Sequence, residues 1–380
     1  MPKIWINACE PSADVYASLL IKWFQANLPQ AKVMGMGGKL SREAGLEALF
    51  QAEQLSIMGL TEVISALPRV VKLLNSIKRQ IKKIKPDLLI LLDAPDFNFR
   101  LAKYARKLNI PVFYYIAPQL WAWRQGRAKF LKKYTNHVFC IFPFEEKFFQ
   151  KWGCNTSYVG HPLLELLPPN SNQNSDLANV LLLPGSRKKE VESLLPLFNE
   201  VGLRLKAQKP DLCFQLIQAE HISLSLLQKF LSPSLNCQII PSSKRYQAMQ
   251  KAKLALAASG TVTLECALNL LPTIIAYKVS SLSYFLGKQM IKVPAIGMPN
   301  LILGEKVFPE FIQDQANPKQ LTQTALELLT DNSKQEQIKT KLKKIKTLLG
   351  EKQATPSVGN YIKNFLTTNQ KKARSKKCKN

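Results

Sequence analysis

The chain has 380 residues, of which 46% are hydrophobic, and a formal net charge of +27. This length accommodates two domains of ordinary size, and the hydrophobic content excludes a disordered or fibrous chain. Seven widely spaced cysteines and only three histidines argue against a disulfide framework and a zinc centre. The excess positive charge predicts an anionic partner, which is a nucleic acid, an anionic lipid surface or a phosphorylated substrate.

The first 14 residues lack the apolar segment of a signal peptide. The longest uncharged run, 108–123, contains two prolines and is shorter than the roughly 20 residues that a membrane-spanning helix needs. We therefore expect a cytoplasmic protein that can bind a membrane surface.

Short apolar runs alternate with longer helical patterns, which is typical of βαβ units and parallel sheets. In the first half the predicted strands are Lys3–Cys9, Lys32–Met36, Asp87–Leu92, Pro111–Ile116, His137–Phe142 and Ser157–Val159. The predicted helices of this half are Ala13–Asn27, Phe99–Leu108, Gly126–Tyr134 and Glu145–Trp152.

A polar stretch with prolines, Leu166–Leu177, predicts a linker, after which the alternation restarts. The predicted strands are Asn179–Leu183, Leu212–Ile217, Cys237–Ile240, Lys253–Ala257 and Thr273–Tyr277. The predicted helices are Glu190–Ala207, Ser223–Phe230, Tyr246–Lys251, Thr261–Leu270 and Ser283–Ile291. From Pro318 the pattern is helical and basic, and the last ten residues, with six positive charges and no acid, predict a solvated tail.

One stretch, Leu60–Ile84, combines apolar residues at helical spacing with a basic opposite face. No acidic residue occurs between Glu62 and Asp87. Such a helix either packs on the core with a charged outer face or lies on anionic lipid, and the net charge favours lipid.

Two strand-to-helix turns in the second half have the composition of phosphate sites. Ser259-Gly260-Thr261 opens a helix, whose free N–H groups and dipole attract anions. Glu265 follows on the first turns, where its carboxylate can accept ribose hydroxyls or simply face solvent. The second turn, Gly185-Ser186-Arg187, adds a guanidinium suited to a diphosphate. Because ligands bind outside the carboxyl ends of parallel strands, we expect one ligand to lie across both turns.

Two turns in the first half also follow predicted strands. Asp93 and Asp96 come directly after an apolar strand, where one can act as a general base and the other can cap the next helix. Trp121, Trp123 and Arg124 follow another strand and either line a sugar or acyl pocket or pack in the core. No Asp-x-Asp motif occurs, and we expect neither a metal nor a cofactor.

Taken in order, these motifs resemble those of the lipid-A-disaccharide synthases, a family of GT-B glycosyltransferases. The resemblance extends from residue 3 to about residue 365. It is carried by CEPSAD (9–14), MGMGG (34–38), LSIMGLTEV (55–63), DAPDFN (93–98), APQLWAWRQGR (117–127), FPFE (142–145), VGHP (159–162), LPGSR (183–187), ASGTVTLE (258–265) and MPNLILG (298–304).

The resemblance implies an α/β fold of the GT-B type, with two Rossmann-like domains facing each other across a cleft. We expect an acceptor- and membrane-facing domain over 1–166, a UDP-sugar-binding domain over 178–350, and a C-terminal helix and basic tail over 351–380. Peripheral association with the anionic inner-membrane surface and a possible homodimer are further implications.

The implied activity is that of a hexosyltransferase of lipid A biosynthesis. It moves 2,3-diacylglucosamine from UDP-2,3-diacylglucosamine to 2,3-diacylglucosamine 1-phosphate (lipid X), giving the β-1′,6-linked disaccharide 1-phosphate and UDP with inversion. Asp96 and Asp93 are then the candidates for the base that deprotonates the acceptor hydroxyl. The implied substrate- and UDP-binding residues are Arg187, Ser186, Ser259, Gly260, Thr261, Glu265, Asn300, Glu10 and Ser12.

One turn departs from the family's usual pattern, since Cys9 and Ala13 stand where the family usually has glycines. The backbone there either avoids positive φ or is slightly shifted.

Two other functions compete with this prediction. One is another GT-B protein, such as a UDP-N-acetylglucosamine transferase of wall synthesis or a UDP-N-acetylglucosamine epimerase; the DAPDFN and WAWR stretches favour the synthase. The other is a nucleic-acid-binding protein, which the charge suggests. No helix-turn-helix, zinc-finger or RNP signature supports it, so we expect no nucleic-acid partner.

Overall fold

The computed structural model describes residues 1–56, 63–168, 179–279, 294–351 and 353–377. The chain divides into two compact units. The first unit combines Met1–Glu165 with Glu351–Asn380, and the second is Leu166–Gly350. The predicted linker falls largely on residues outside the described ranges.

The first unit is built on a parallel sheet with strand order β3-β2-β1-β4-β5-β6-β7. The five apolar residues of β4 are fully buried, as expected for a strand covered on both faces. The chain order reverses between β1 and β4, which is the switch point where doubly wound sheets bind ligands. The described strands are β1 Lys3–Ala8, β2 Lys32–Gly37, β3 Glu47–Gln51, β4 Leu88–Leu92, β5 Val112–Tyr115, β6 His137–Cys140 and β7 Thr156–Tyr158.

Helices cover this sheet. One face packs against helices α4 to α6 through buried side chains that include Ile77, Leu101 and Leu131. The described helices of the first unit are α1 Pro11–Asn27, α2 Lys39–Glu43, α3 Glu53–Ser56, α4 Val63–Ile84, α5 Pro95–Lys107, α6 Ala128–Tyr134, α7 Pro143–Lys151 and the C-terminal α15 Ala354–Lys377.

The C-terminal helix α15 belongs to the first unit, where it packs against α1. Its Val358, Ile362 and Leu366 are buried. Gly359 allows close approach, since a Cβ there would lie 2.4 Å from the Trp23 ring. The first half of α15 therefore contributes to the hydrophobic core of the first unit.

The second unit has a parallel sheet of its own, with strand order β10-β9-β8-β11-β12-β13. Its strands are β8 Asn179–Leu183, β9 Cys213–Gln218, β10 Cys237–Pro241, β11 Ala252–Ala258, β12 Thr273–Tyr277 and β13 Glu310–Ile312. Its described helices are α8 Lys188–Gln208, α9 Leu224–Phe230, α10 Arg245–Lys251, α11 Thr261–Leu268, α12 Met298–Leu303, α13 Pro318–Thr330 and α14 Asn332–Leu349.

The strands predicted from apolar runs are confirmed in both units. The edge strands β3 and β13 were not predicted, because each is short and only half-buried and lacks a continuous apolar run. Helix α5 begins at Pro95, earlier than predicted, because proline is well suited to the first turn of a helix. The predicted helix Ser283–Ile291 lies outside the described residues.

The last ten residues were predicted to form a solvated tail, and in the structure the backbone of α15 is helical to Lys377. The last three residues lie outside the described ranges. Helices are compatible with basic sequence wherever lysine and arginine side chains reach solvent, because both residues have high helix propensity.

Helix α4 packs on the core as in the first of the two alternatives that its sequence left open, and the alternative that it lies on lipid stays a prediction. Leu74, Ile77 and Ile81 are buried in the core, whereas Leu67 and Val71, two turns and one turn before Leu74, are 50% and 39% exposed. The helix thus packs on the sheet through its C-terminal half and exposes apolar side chains near its start. Among the described residues no helix is long and apolar enough to cross a bilayer.

His137 provides a test of how α15 packs. The ring lies in β6, with Nδ1 3.0 Å from the Tyr361 hydroxyl and Nε2 2.8 Å from the Ser157 hydroxyl. Burial lowers the pKa of His137 to about 4, because the charged ring loses its hydration. The folded protein therefore binds this proton less tightly than the unfolded chain does, and His137 lowers stability as the pH falls from 6.5 towards 4.

We predict that His137 stays neutral down to about pH 5 in an NMR titration. The variant Tyr361→Ala, which uncovers the ring, should move its pKa back towards 6.5. Lys363→Ala, an exposed change on the same helix, is the control and should have no effect. A His137 that titrates near 6.5 in the unmodified protein would contradict this packing.

Candidate active site

In the second unit, the two predicted phosphate turns lie side by side. Strands β8 and β11 are paired in parallel, with Leu183 opposite Ala257. The turn 184–187 leaves β8 and the turn 259–261 leaves β11, so both lie at the same edge of the sheet, on adjacent strands. The structure therefore brings together the two sets of residues that the sequence predicted to bind one ligand.

Gly185 gives the first turn its shape. Its φ is +110°, which side chains rarely adopt, and a Cβ there would lie 2.3 Å from Glu190 Oε2. Glu190 Oε2 accepts hydrogen bonds from the Ser186 amide at 3.2 Å and the Arg187 amide at 3.3 Å. A carboxylate of the chain thus lies on the two amides that a phosphate would use.

The Arg187 side chain is 68% exposed, and its Nη1 contacts Glu190 Oε1 at 3.0 Å. The charges of Glu190 and Arg187 also act on the hydroxyl of Tyr277, which ends β12. Burial is the main cause of the raised pKa of Tyr277. The guanidinium is therefore close to the sheet edge and accessible to a ligand.

The second turn opens α11. In the described residues no side chain caps this helix at Gly260, and a Cβ built on Gly260 meets no atom within 4 Å. The Ser259 hydroxyl donates to the carbonyl of Ile296 at 3.0 Å. Among the described residues, the start of α11 thus has open space beside Gly260 and no side chain on its N–H groups, an arrangement that suits an anion.

Glu265, on α11, is buried and paired. Its Oε1 accepts from Arg245 Nε at 3.1 Å and from the Tyr246 hydroxyl at 2.8 Å. The described hydrogen bonds leave Oε2 without a donor, so a ribose hydroxyl can still bind the carboxylate there. Sequence analysis missed Arg245 and Tyr246, although an Arg-Tyr pair shortly after a strand was a usable signal.

Asn300 is only 2% exposed, and both ends of its amide bind protein groups. Nδ2 donates to the Phe308 carbonyl and to Glu310 Oε1, both at 2.8 Å, and Oδ1 accepts the amides of Val307 and Phe308. Glu310 in turn accepts the Gly297 amide at 2.8 Å. Asn300 thus supports the segment that Ser259 contacts, and its direct contact with a ligand stays a prediction.

In the first unit, three predicted turns leave adjacent strands. Ala8 of β1 lies opposite Leu92 of β4, which lies opposite Tyr115 of β5. The turns starting at Cys9, Asp93 and Ile116 therefore meet at one edge of the sheet. Non-glycine residues with positive φ concentrate there, at Asp93 (49°), Ala94 (43°), Ile116 (62°) and Arg124 (55°). Strain of this kind is commonly found at functional sites.

The two candidate carboxylates differ in their surroundings. Asp96 is 73% exposed, and its Oδ1 accepts from Arg127 Nη2 at 2.8 Å. The Arg127 guanidinium also lies 4.7 Å from the centre of the Phe99 ring. Asp93 is half-buried at the end of β4, and its charge acts on Cys9 and Tyr114. Sequence analysis missed Arg127 as a partner of this turn.

The Glu10–Ser12 turn lies beside Asp93. Neither Cys9 nor Ala13 has a positive φ, so the backbone takes the first of the two alternatives that the missing glycines raised. The Cys9 thiol accepts from Asn7 Nδ2 at 3.2 Å, and its pKa is raised mainly by burial. Glu10 begins α1 as its N-cap residue, and Ser12 lies half-buried in the first turn.

The tryptophan turn after β5 is anchored by a residue that sequence analysis missed. Trp121 and Trp123 are both half-buried, so neither lies wholly in the core. Trp121 Nε1 donates to Glu145 Oε1 at 3.0 Å, and Glu145 Oε2 accepts the amides of Ile141 and Phe142. Burial raises the pKa of Glu145 to about 7, although these three hydrogen bonds act to lower it.

Comparison with known proteins gives a consistent result. The model of the family described as lipid-A-disaccharide synthetase matches residues 4–358. A lipid-A-disaccharide synthase of Coxiella burnetii is 37% identical over 372 residues, covering 96% of this chain and 98% of its own length. One of Anaeromyxobacter dehalogenans is 36% identical, covering 92% of this chain and 94% of its own length.

Solved structures share the fold at low sequence identity. The UDP-GlcNAc 2-epimerase of Neisseria meningitidis, bound to UDP-GlcNAc, superposes with a TM-score of 0.65 at 12% identity. The superposition covers 96% of this chain and 99% of the epimerase chain. The calicheamicin glycosyltransferase CalG4 gives a TM-score of 0.62 at 12% identity, covering 97% of this chain and 99% of its own. These likenesses show the fold of GT-B proteins, with two Rossmann-like units.

The family model and the relatives extend over both units, and therefore over the turns at both sheet edges. This protein belongs to the lipid-A-disaccharide synthase family of glycosyltransferases.

Proposed function

We propose that the protein transfers 2,3-diacylglucosamine from UDP-2,3-diacylglucosamine to lipid X, forming the β-1′,6-linked disaccharide 1-phosphate and UDP with inversion. The observation that carries the proposal is the pairing of β8 with β11, which places an exposed guanidinium beside an uncapped helix N-terminus. This is a site for the pyrophosphate of a nucleotide sugar. Family membership does not favour the epimerase or nucleic-acid alternatives.

The donor contacts follow from the second unit. The pyrophosphate binds Arg187, the Ser186 amide and the first amides of α11 at Ser259–Thr261. Glu190 must then give up the amides of Ser186 and Arg187, because two anions cannot share the same donors. Glu265 Oε2 holds the ribose, while Arg245 and Tyr246 fix the carboxylate through Oε1.

The first unit supplies the base, and its geometry favours Asp93 over Asp96. The Asp96 carboxylate is engaged by Arg127 and directed towards α6, which begins just after Arg127. Asp93 is the first residue after β4, beside the Glu10–Ser12 turn that is proposed to contact the acceptor. Asp93 deprotonates the acceptor 6-hydroxyl as it attacks the anomeric carbon, and no metal is needed for that step.

Incubation of the pure protein with UDP-2,3-diacylglucosamine and lipid X tests the reaction, and mass analysis detects the disaccharide 1-phosphate and UDP. We predict that Asp93→Asn lowers kcat by roughly 10²- to 10⁴-fold, the usual contribution of a general base. Asp96→Asn, the matched control in the same turn, should cost less than about tenfold, because it loses only a partly exposed ion pair. If Asp96→Asn proves the more damaging change, the assignment of the base is wrong.

Arg187→Ala is expected to nearly abolish turnover while the protein stays folded. Loss of one preorganised donor to the departing UDP costs about 3–4 kcal/mol of barrier, or roughly 10²- to 10³-fold in kcat. Arg204→Ala is the control, since Arg204 lies on α8 of the same unit and pairs with Glu200 on the surface. UDP should raise the melting temperature of the unmodified protein and of Arg204→Ala, but much less that of Arg187→Ala. Full activity of a folded Arg187→Ala protein would refute the donor site.

A membrane-facing surface is proposed at the start of α4, where Leu67 and Val71 are exposed next to Arg69 and Lys72. Exposed apolar side chains among basic residues suit the interface of an anionic bilayer, and both substrates carry acyl chains. Peripheral association with the inner membrane follows from this proposal.

The double variant Leu67→Ser/Val71→Ser should sediment less with vesicles that contain anionic lipid, and binding of the unmodified protein should weaken as salt rises. Leu348→Ser is the matched control, because Leu348 is 48% exposed on the basic helix α14. Equal loss of binding in both variants would show that α4 is not the membrane contact.

A further inference from the structure

The turn between β4 and α5 has an unfavourable backbone. Asp93 and Ala94 are consecutive non-glycine residues with φ of 49° and 43°. The left-handed conformation costs such residues about 1–2 kcal/mol each, because Cβ approaches the following carbonyl oxygen. An isolated chain would avoid it, so the surrounding structure must hold the turn.

Two buried side chains hold it at one atom, the carbonyl oxygen of Asp93. Asn98 Nδ2 donates to this oxygen at 2.8 Å and to the Leu92 carbonyl at 2.9 Å. The Tyr114 hydroxyl, from the neighbouring strand β5, donates to the same oxygen. Donors from α5 and from β5 thus converge on the peptide group that follows the Asp93 side chain.

These donors are held in place in turn. Asn98 Oδ1 accepts from Asn7 Nδ2 at 2.7 Å, and Asn7 lies at the end of β1. Asn7, Asn98 and Tyr114 are all fully buried. Burial, with a smaller effect of the Asp93 charge, raises the pKa of Tyr114 well above 10, so its hydroxyl remains a donor. A substrate cannot reach these three side chains.

We infer that Tyr114 and Asn98 are positioning residues, which fix the strained Asp93–Ala94 turn and so aim the Asp93 carboxylate at the acceptor hydroxyl. The inference rests on the proposed role of Asp93 as the base. The effect is on geometry, because a misplacement of about 1 Å in a reacting group can cost roughly 10²-fold in rate. Substrate affinity does not depend on these residues, since they touch no substrate.

The test is Tyr114→Phe, which keeps the ring and removes the hydroxyl. We expect kcat to fall roughly 10- to 100-fold, with KM changed less than about twofold. Tyr115→Phe is the matched control: Tyr115 is the next residue of β5, is equally buried, and points to the opposite face of the sheet. It should leave kcat unchanged.

A second variant separates positioning from stability. Ala94→Gly removes the Cβ that disfavours the left-handed conformation. In the double variant Tyr114→Phe/Ala94→Gly, we expect the melting temperature lost in Tyr114→Phe to recover while kcat stays low, because glycine relieves the strain at residue 94, whereas Asp93 keeps its left-handed conformation without the hydroxyl on its carbonyl. If kcat recovers together with the melting temperature, the hydroxyl serves stability alone and the inference is wrong.

The activity of the unmodified protein separates a failure of this inference from a failure of the proposed function. No disaccharide from the unmodified protein would refute the proposed function itself. An active unmodified protein whose Tyr114→Phe variant is folded and fully active would refute only the positioning role. A Tyr114→Phe variant with unchanged kcat and raised KM would also refute it, because the loss would then lie in substrate binding.

Discussion

Parallel pairing of strands is the constraint on which the arrangement of the candidate residues in each unit depends. Because β8 pairs with β11, the Arg187 turn and the start of α11 leave the same edge of one sheet. Because β1, β4 and β5 are adjacent, the turns after them meet in the same way in the first unit. Backbone hydrogen bonds between the strands thus place residues that are far apart in sequence next to each other, independently of contacts between their side chains.

Much of this arrangement could be predicted from the sequence. Continuous apolar runs such as Leu88–Leu92 identify buried parallel strands, and the turns that follow them carry the chemistry. Strand order could not be predicted in the same way, because runs of similar composition do not encode which neighbour each strand pairs with. The edge strand β3 was missed because it is short and half-exposed and lacks a continuous apolar run.

The side-chain partners were harder to predict than the turns themselves. Glu190, Arg127 and Glu145 each bind a predicted site residue, but they are charged residues in helical stretches, where exposure to solvent is the ordinary expectation. Only the folded backbone shows that Glu190 covers two amides and that Glu145 is buried. Asn300 was predicted to bind substrate, yet its described bonds go to Glu310 and to the loop before it, and its contact with a ligand stays a prediction. Motifs thus identify positions near a site better than they separate ligand contacts from supports.

The groups at the two sheet edges differ in charge: a guanidinium and a carboxylate lie at one, whereas neutral side chains hold the backbone at the other. At the ends of β8 and β11, where we propose that the donor binds, the fixed groups are N–H donors and a guanidinium, and the carboxylate of Glu190 occupies them. Such a site need not be reorganised for an anion, because exchange of one anion for another leaves the donors where they are. At the ends of β1, β4 and β5, where we propose that the acceptor binds, the backbone itself is strained, and neutral buried donors, Tyr114 and Asn98, hold it. Neutral groups bound to the Asp93 carbonyl fix the direction of the turn without adding a charge, whereas a cationic group at that carbonyl would also stabilise the ionised carboxylate and lower its basicity.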